Sequence, residues 1–237
     1  TLSSSSAASD VYKRQAHLNR LRAGVLGAND GIVSIAALVI GVAAATSDIR
    51  AILIAGVAGI IAGSLSMAIG EYVSVSSQRD SEASLIARER QELIDQPEAE
   101  LRELADIYQA KGLSKKTAQL VAQELTDHDA FRAHLDAELG IDERQLTNPW
   151  HAAISSGVSF LAGAALPMAA IALTPGDARL PVTFLASLVA LAITGGTGAY
   201  LGNSKVARPV ARVTVGGGLA LALTWGIGHL LGVGVAL

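Results

Sequence analysis

The chain has 237 residues, 51% of them hydrophobic and 16% charged, with a mean hydropathy of +0.42 and a formal net charge of −3. A soluble domain carries about 25% charged residues, so this composition excludes an ordinary soluble globular protein. The lack of cysteine excludes disulfides and thiolate metal sites.

The charges are segregated. Residues 79–147 hold 16 acidic and 9 basic side chains, a net of −7, and the remainder nets +4. An acidic polar block inside an apolar, weakly basic remainder is the pattern of a membrane protein with one soluble insertion. The chain offers no basic field for nucleic acid.

At the start, "SSAASDVYKRQ" (residues 5–15) reads as a translated sequencing adapter. Residues 1–15 therefore read as a cloning or assembly artefact rather than part of the fold. They hold no apolar core of the kind a signal peptide needs.

A membrane helix needs about 20 largely apolar residues. Five segments qualify: 22–45, 49–75, 150–173, 181–202 and 209–235. Short polar connections, "TSDIR", "TPGDAR" and "NSKVARP", join neighbouring spans. Arg20, Arg22, Lys205, Arg208 and Arg212 fall on one side of such a bundle, which the positive-inside rule places in the cytosol. Arg50 and Arg179 lie in the opposite turns, each near an Asp. The acidic block between spans two and three is then cytosolic.

Gly27 and Gly31, Gly59 and Gly63, and Gly198 and Gly202 recur at four-residue spacing. Such pairs let helix backbones approach closely. Ordinary packing accounts for most of them. Pro167 removes a backbone donor from the third span and is expected to kink it.

The acidic block reads as helix. "SQRDSEASLIARERQELI" contains no breaker and is expected to continue the second span. Pro97 starts the next helix, which ends at Gly112. Ser114 caps a third. Asp127 is expected to open the last one, which ends at Gly140.

Only two acids, Asp30 and Glu71, lie within the spans. An ionised Asp at the centre of a membrane helix costs about 2.5–3.5 kcal/mol, so such residues usually face a partner or a water path. Asn29, Met67, Ser64, Ser66 and Ser74 add amide, thioether and hydroxyl ligands nearby in sequence. Carboxylates with a thioether and neutral oxygens suit Fe²⁺ or Mn²⁺. The same residues have plainer readings. Asp30 could pair with Arg22 at a helix end, Glu71 could snorkel to the interface, and Met67 could fill the core.

A second constellation lies in the acidic block. Glu89 and Glu92, then Glu100 and Glu103, are spaced i, i+3, and His134 precedes Glu138 by one turn. Such spacings put both side chains on one helix face, and facing helices carrying them build carboxylate metal sites. The spacing alone more commonly marks a solvated face with local salt bridges, here to Arg88, Arg90 and Arg102.

Two long motifs change that balance. "LRAGVLGANDGIVSIAALVIGVAAA" and "GSLSMAIGEYVSVSSQRDSE" closely resemble the vacuolar iron transporter (VIT) family in its bacterial form, and the resemblance extends over residues 16–237. It implies an all-α membrane protein with five transmembrane helices and a cytosolic helical metal-binding domain inserted between helices two and three. It further implies a homodimer that exports Fe²⁺, and often Mn²⁺, from the cytosol in exchange for protons. No enzyme activity and no resident cofactor are implied; the metal is cargo.

By position, Asp30 and Met67 resemble the family's intramembrane metal path, and Glu89, Glu92, Glu100, Glu103 and Glu138 its cytosolic ligands. There are departures. Plant members carry a further glutamate where this chain has Gly59, and Glu71 could partly substitute for it. Plant members also have a Met pair where this chain has His134 and Leu135, so an imidazole could replace a thioether. High Ala and Gly content and the "GEYVS" form point to a bacterial plasma membrane. The alternative to a transporter is a membrane-anchored iron sensor or buffer whose working part is the Glu-rich domain.

Overall fold

The computed structural model describes residues 4–141 and 147–235, with side chains placed over 24–141 and 147–232. Among the described residues every regular element is helical. The helices are α1 (Ser4–Ala45), α2 (Ile49–Asp95), α3 (Pro97–Ala110), α4 (Lys115–His134), α5 (Pro149–Leu173), α6 (Arg179–Leu201) and α7 (Ala207–Val235). A π turn, Leu135–Leu139, follows α4, and a short 3-10 turn, Gly176–Ala178, precedes α6.

Five helical stretches are long and apolar enough to cross a membrane: Gly24–Ala45, Ile49–Asp95, Pro149–Leu173, Gly176–Leu201 and Ala207–Gly232. They fall where the hydropathy places them. The first span lies within a longer helix, since α1 begins at Ser4; residues 4–23 contain no glycine or proline. Local chemistry sets the other ends. Asp48 caps α2, its Oδ1 accepting from the Arg50 N–H at 2.9 Å, and Pro149 opens α5 at a position where no N–H is needed. Pro167 lies inside a continuous α5 and is fully buried.

The chain forms two compact units. One comprises Thr1–Glu71 with Trp150–Leu237, and the other Tyr72–Pro149. Helix α2 contributes to both, and its division at Tyr72 comes earlier than the charge shift at Arg79.

In the first unit α1 is the central helix. It packs against α6 and α7, and its Ile35 and Val39 share a core with Ile52 of α2 and Phe160, Ala164 and Ile171 of α5. Two contacts between α1 and α5 need glycine. A Cβ on Gly31 would clash with the Phe160 carbonyl, and one on Gly163 with the Ala28 carbonyl. Helices α1 and α5 therefore meet backbone to backbone. This bears out the packing reading for the first two glycine pairs. Gly27 and Gly31 lie against α5 of the same chain, and Gly59 and Gly63 lie against the Leu38 and Phe160 side chains. Their space is filled from within.

The outer face of α2 is apolar. Ile54, Val57, Ile61, Leu65, Ile69 and Val73 are all exposed and recur every three or four residues, forming one stripe. Apolar side chains turned outward suit a bilayer as surroundings.

The second unit has its own small core, Leu104, Ala105 and Ala122, with Leu101, Tyr108, Leu125, Ala133 and Ala137 packed on it. Pro97 opens α3 at its first turn, and the Ser114 hydroxyl accepts from the Thr117 N–H at 3.3 Å to cap α4. Gly112 and Gly140 take positive φ, 103° and 61°, at the ends where glycine is expected. The expected helix start at Asp127 is displaced. The break falls at Asp129, whose φ of −166° and ψ of 86° leave the helical region. Its Oδ1 accepts from the Arg132 N–H at 3.0 Å, the reach of a cap to the third helical residue. Asp127 instead accepts from Gln123 one turn earlier.

Candidate metal centre

Three elements of the second unit bring four side chains of ligand type to one point. Glu89 comes from α2 and Glu100 from the start of α3. His134 and Glu138 come from the short helical segment that Asp129 restarts. Glu89 Oε1 lies 3.0 Å from His134 Nδ1, Glu138 Oε2 lies 3.4 Å away and Glu100 Oε2 lies 3.7 Å away. One ligand atom from each of Glu89, Glu100 and His134 lies within 4.8 Å of the others. The imidazole is fully buried, Glu89 and Glu100 are buried, and the Glu138 side chain is 29% exposed, which leaves one open side.

This arrangement is over-supplied with acceptors. Three carboxylates face one ring nitrogen, which can donate at most one proton. The hydrogen bond goes to Glu138. Glu89 Oε1, although nearer, has no hydrogen-bond partner, and His134 Nε2 is also buried without one. Buried acceptors without donors are unfavourable. A cation between Glu89 Oε1 and Nδ1 would satisfy that oxygen and leave the ring proton on Nε2.

The carboxyl groups respond accordingly. Glu89 is pushed up to about 7, first by burial and then by repulsion from Glu138, Glu100, Glu92 and Glu103. Glu100 is also raised, by burial first and then by Glu103, with His134 acting the opposite way. In the absence of a metal, protons relieve the crowding. Mixed carboxylate and imidazole donors fit Fe²⁺ or Mn²⁺ without selecting sharply between them.

The remaining candidates are placed differently. Glu92 is held one turn along by Arg88, at 2.9 Å, which is the local salt bridge that the spacing also allowed. Glu103 is exposed on α3. In the first unit, Asp30 is exposed on α1 and accepts from the Ser34 hydroxyl at 3.2 Å. Its neighbour Asn29 turns the other way, its Oδ1 accepting from the Thr194 hydroxyl of α6. Met67 packs beside the α1–α2–α5 core, and Glu71 is half-buried near the end of the apolar part of α2. Among the described residues, the group of acids and histidines close enough to share an ion is the one in the second unit.

Two local arrangements, one in each unit, were not legible as such in the sequence. Thr194 has no motif that marks it as the partner of Asn29. Asp129 competes with Asp127 for the same cap, and only the backbone break decides between them.

A sequence profile of the VIT family matches residues 21–229. Among curated relatives, a vacuolar iron transporter of Acanthamoeba castellanii is 42% identical over 217 residues, covering 89% of this chain and 78% of that protein. Vacuolar iron transporter homolog 1 of Oryza sativa subsp. japonica is 40% identical over 213 residues, covering 90% of this chain and 74% of its own length. Vacuolar iron transporter homolog 2.1 of Arabidopsis thaliana is 34% identical over 213 residues, covering 90% and 81%.

Proposed function

The chain belongs to the VIT family, whose members are transporters rather than enzymes, and from that premise we propose that it carries Fe²⁺, and also Mn²⁺, out of the cytosol in exchange for protons. The observation that carries the reading is the convergence of Glu89, Glu100 and Glu138 on His134. The working form is a homodimer, with the second unit on the cytosolic side. The relatives' names point to a vacuolar membrane, and the chain's composition to a bacterial plasma membrane. Export from the cytosol is the same direction in both.

In this scheme the carboxylates of the second unit collect the metal and deliver it to Asp30, Met67 and Glu71 of the spans. Both Asp30 and Glu71 can hold either a proton or a metal ion, as an exchanger requires. Expelling a dication against 100 mV costs about 4.6 kcal/mol. Two protons entering in return cancel that electrical work and leave the pH gradient as the driving force.

The test is proton movement coupled to metal. Proteoliposomes carrying the chain and an internal pH dye are given Fe²⁺ outside. Exchange requires the lumen to lose protons as iron enters, with little sensitivity to a clamped membrane potential. Iron entry without proton loss would overturn the exchange.

One observation favours a second reading, a membrane-anchored iron sensor or buffer. The convergent ligand cluster lies in the polar unit, whereas Asp30 of the spans is exposed with Ser34 as its hydrogen-bond partner. A sensor would bind metal at the polar unit and show no flux.

A further inference from the structure

Two cations outside the ligand cluster hold the segment that carries His134 and Glu138. At one end, the Arg90 guanidinium of α2 sits 4.6 Å from the centre of the Phe131 ring. At the other, Lys111, at the end of α3, donates from Nζ to the Ala137 carbonyl at 3.2 Å and lies 5.2 Å from the Tyr108 ring. Between these points run residues 131–137, with His134 in the middle and Glu138 just beyond.

The segment needs external holding for a local reason. The backbone breaks at Asp129, and residues Leu135–Leu139 form a π turn rather than an α-helical one. Such turns are irregular and recur at functional sites. The segment is short, and a helix of about ten residues is marginal by itself. Arg90 adjoins Glu89 in sequence, so the contact that fixes Phe131 starts beside the ligand on α2. Lys111 caps the end of α3, whose first turn carries Glu100. Each cation therefore ties the His134 segment to a helix that supplies one of the other ligands.

The geometry points to Arg90 with Phe131, and Lys111 with the Ala137 carbonyl, as a positioning clasp that sets His134 and Glu138 against Glu89 and Glu100 for metal capture. This rests on the metal-site reading given above.

The sign of the effect separates positioning from simple charge. A cation beside a carboxylate cluster repels an incoming dication, so removing it should tighten metal binding if charge were all that mattered. A clasp gives the opposite result.

Mn²⁺ binding to the full chain in detergent, followed by electron paramagnetic resonance, is the test. The parent chain binds Mn²⁺. Phe131→Leu and Lys111→Met bind about two- to tenfold more weakly, the range expected for a cation–π or charge-assisted contact. Phe131→Trp, which keeps an aromatic face for Arg90, retains the parent affinity, as Arg90→Lys largely does. Far-ultraviolet circular dichroism shows the variants helical. Unchanged or tighter binding in Phe131→Leu and Lys111→Met, with a parent that binds, would overturn the clasp and leave the metal site standing. A parent chain that binds no Mn²⁺ would overturn the metal-site reading and the clasp with it.

Discussion

Replacing Glu89 with glutamine should move stability and metal affinity in opposite directions. Glu89 is buried beside His134 with two other carboxylates, Glu100 and Glu138, at the same nitrogen, and its carboxyl is pushed up to about 7 from an ordinary value of 4.5. A carboxyl raised on folding binds protons more readily in the folded state than in the unfolded one. Its folding benefit is complete below about pH 4.5 and is lost as the pH rises through 7. The metal-free parent should therefore lose stability between these limits. Full desolvation would set the loss near 3 kcal/mol. The open side at Glu138, 29% exposed, admits screening that reduces it to about 1–2 kcal/mol. Glutamine carries no charge to bury and can donate to a neighbouring carboxylate. At pH 8 with a chelator, Glu89→Gln should melt about 5 °C above the parent, and its stability should vary less between pH 5 and 8. Adding Mn²⁺ should reverse the order, because the parent gains binding energy and the variant gains little. Thermal unfolding of the purified full chain, with chelator and with Mn²⁺ across that range, checks both halves. A variant less stable than the metal-free parent at pH 8 would refute the reasoning, since it would make Glu89 a structural group. So would a variant stabilised by Mn²⁺ as strongly as the parent.

Other outcomes follow from the same geometry. Mn²⁺ affinity of the parent should fall as the pH drops below about 7, where protons compete for Glu89; a flat pH profile from 8 to 5.5 would contradict this. Asp129→Ala should lower stability by about 1 kcal/mol through the lost cap and weaken Mn²⁺ binding, whereas Asp127→Ala should do neither; titration of both variants separates them. Gly31→Ala forces a methyl against the Phe160 carbonyl and should destabilise by about 1–3 kcal/mol. Gly70→Ala meets nothing within 4 Å and should be neutral or slightly stabilising. Melting temperatures in detergent compare the pair.

The spans were legible because hydropathy over twenty residues is a long-range average that single residues barely alter. The loop chemistry was legible where a residue has one local role, as with Pro97, Ser114 and Gly140. Legibility failed where two residues could play the same part. Asp127 and Asp129 differ only in where the backbone bends, which depends on how the last segment docks. The glycine pairs announce close approach but not its partner, and here the partners are Phe160 and Leu38 of the same chain. In the metal centre, the i, i+3 spacing marked Glu89 and Glu92 alike. Tertiary packing then buried Glu89 beside His134 and left Glu92 to Arg88. The contacts of Arg90 with Phe131 and of Lys111 with Ala137 join residues far apart in sequence, and no local pattern announces them.

Fe²⁺ flux into proteoliposomes under an imposed pH gradient, comparing the parent with Asp30→Asn and Glu89→Gln, tests the transport claim most directly. Flux in the parent should need the gradient, vanish in Asp30→Asn and persist at a lower rate in Glu89→Gln when Fe²⁺ is scarce. Normal flux in Asp30→Asn would contradict a path through Asp30. No flux in a parent that still binds Fe²⁺ would leave the chain a metal sensor or buffer.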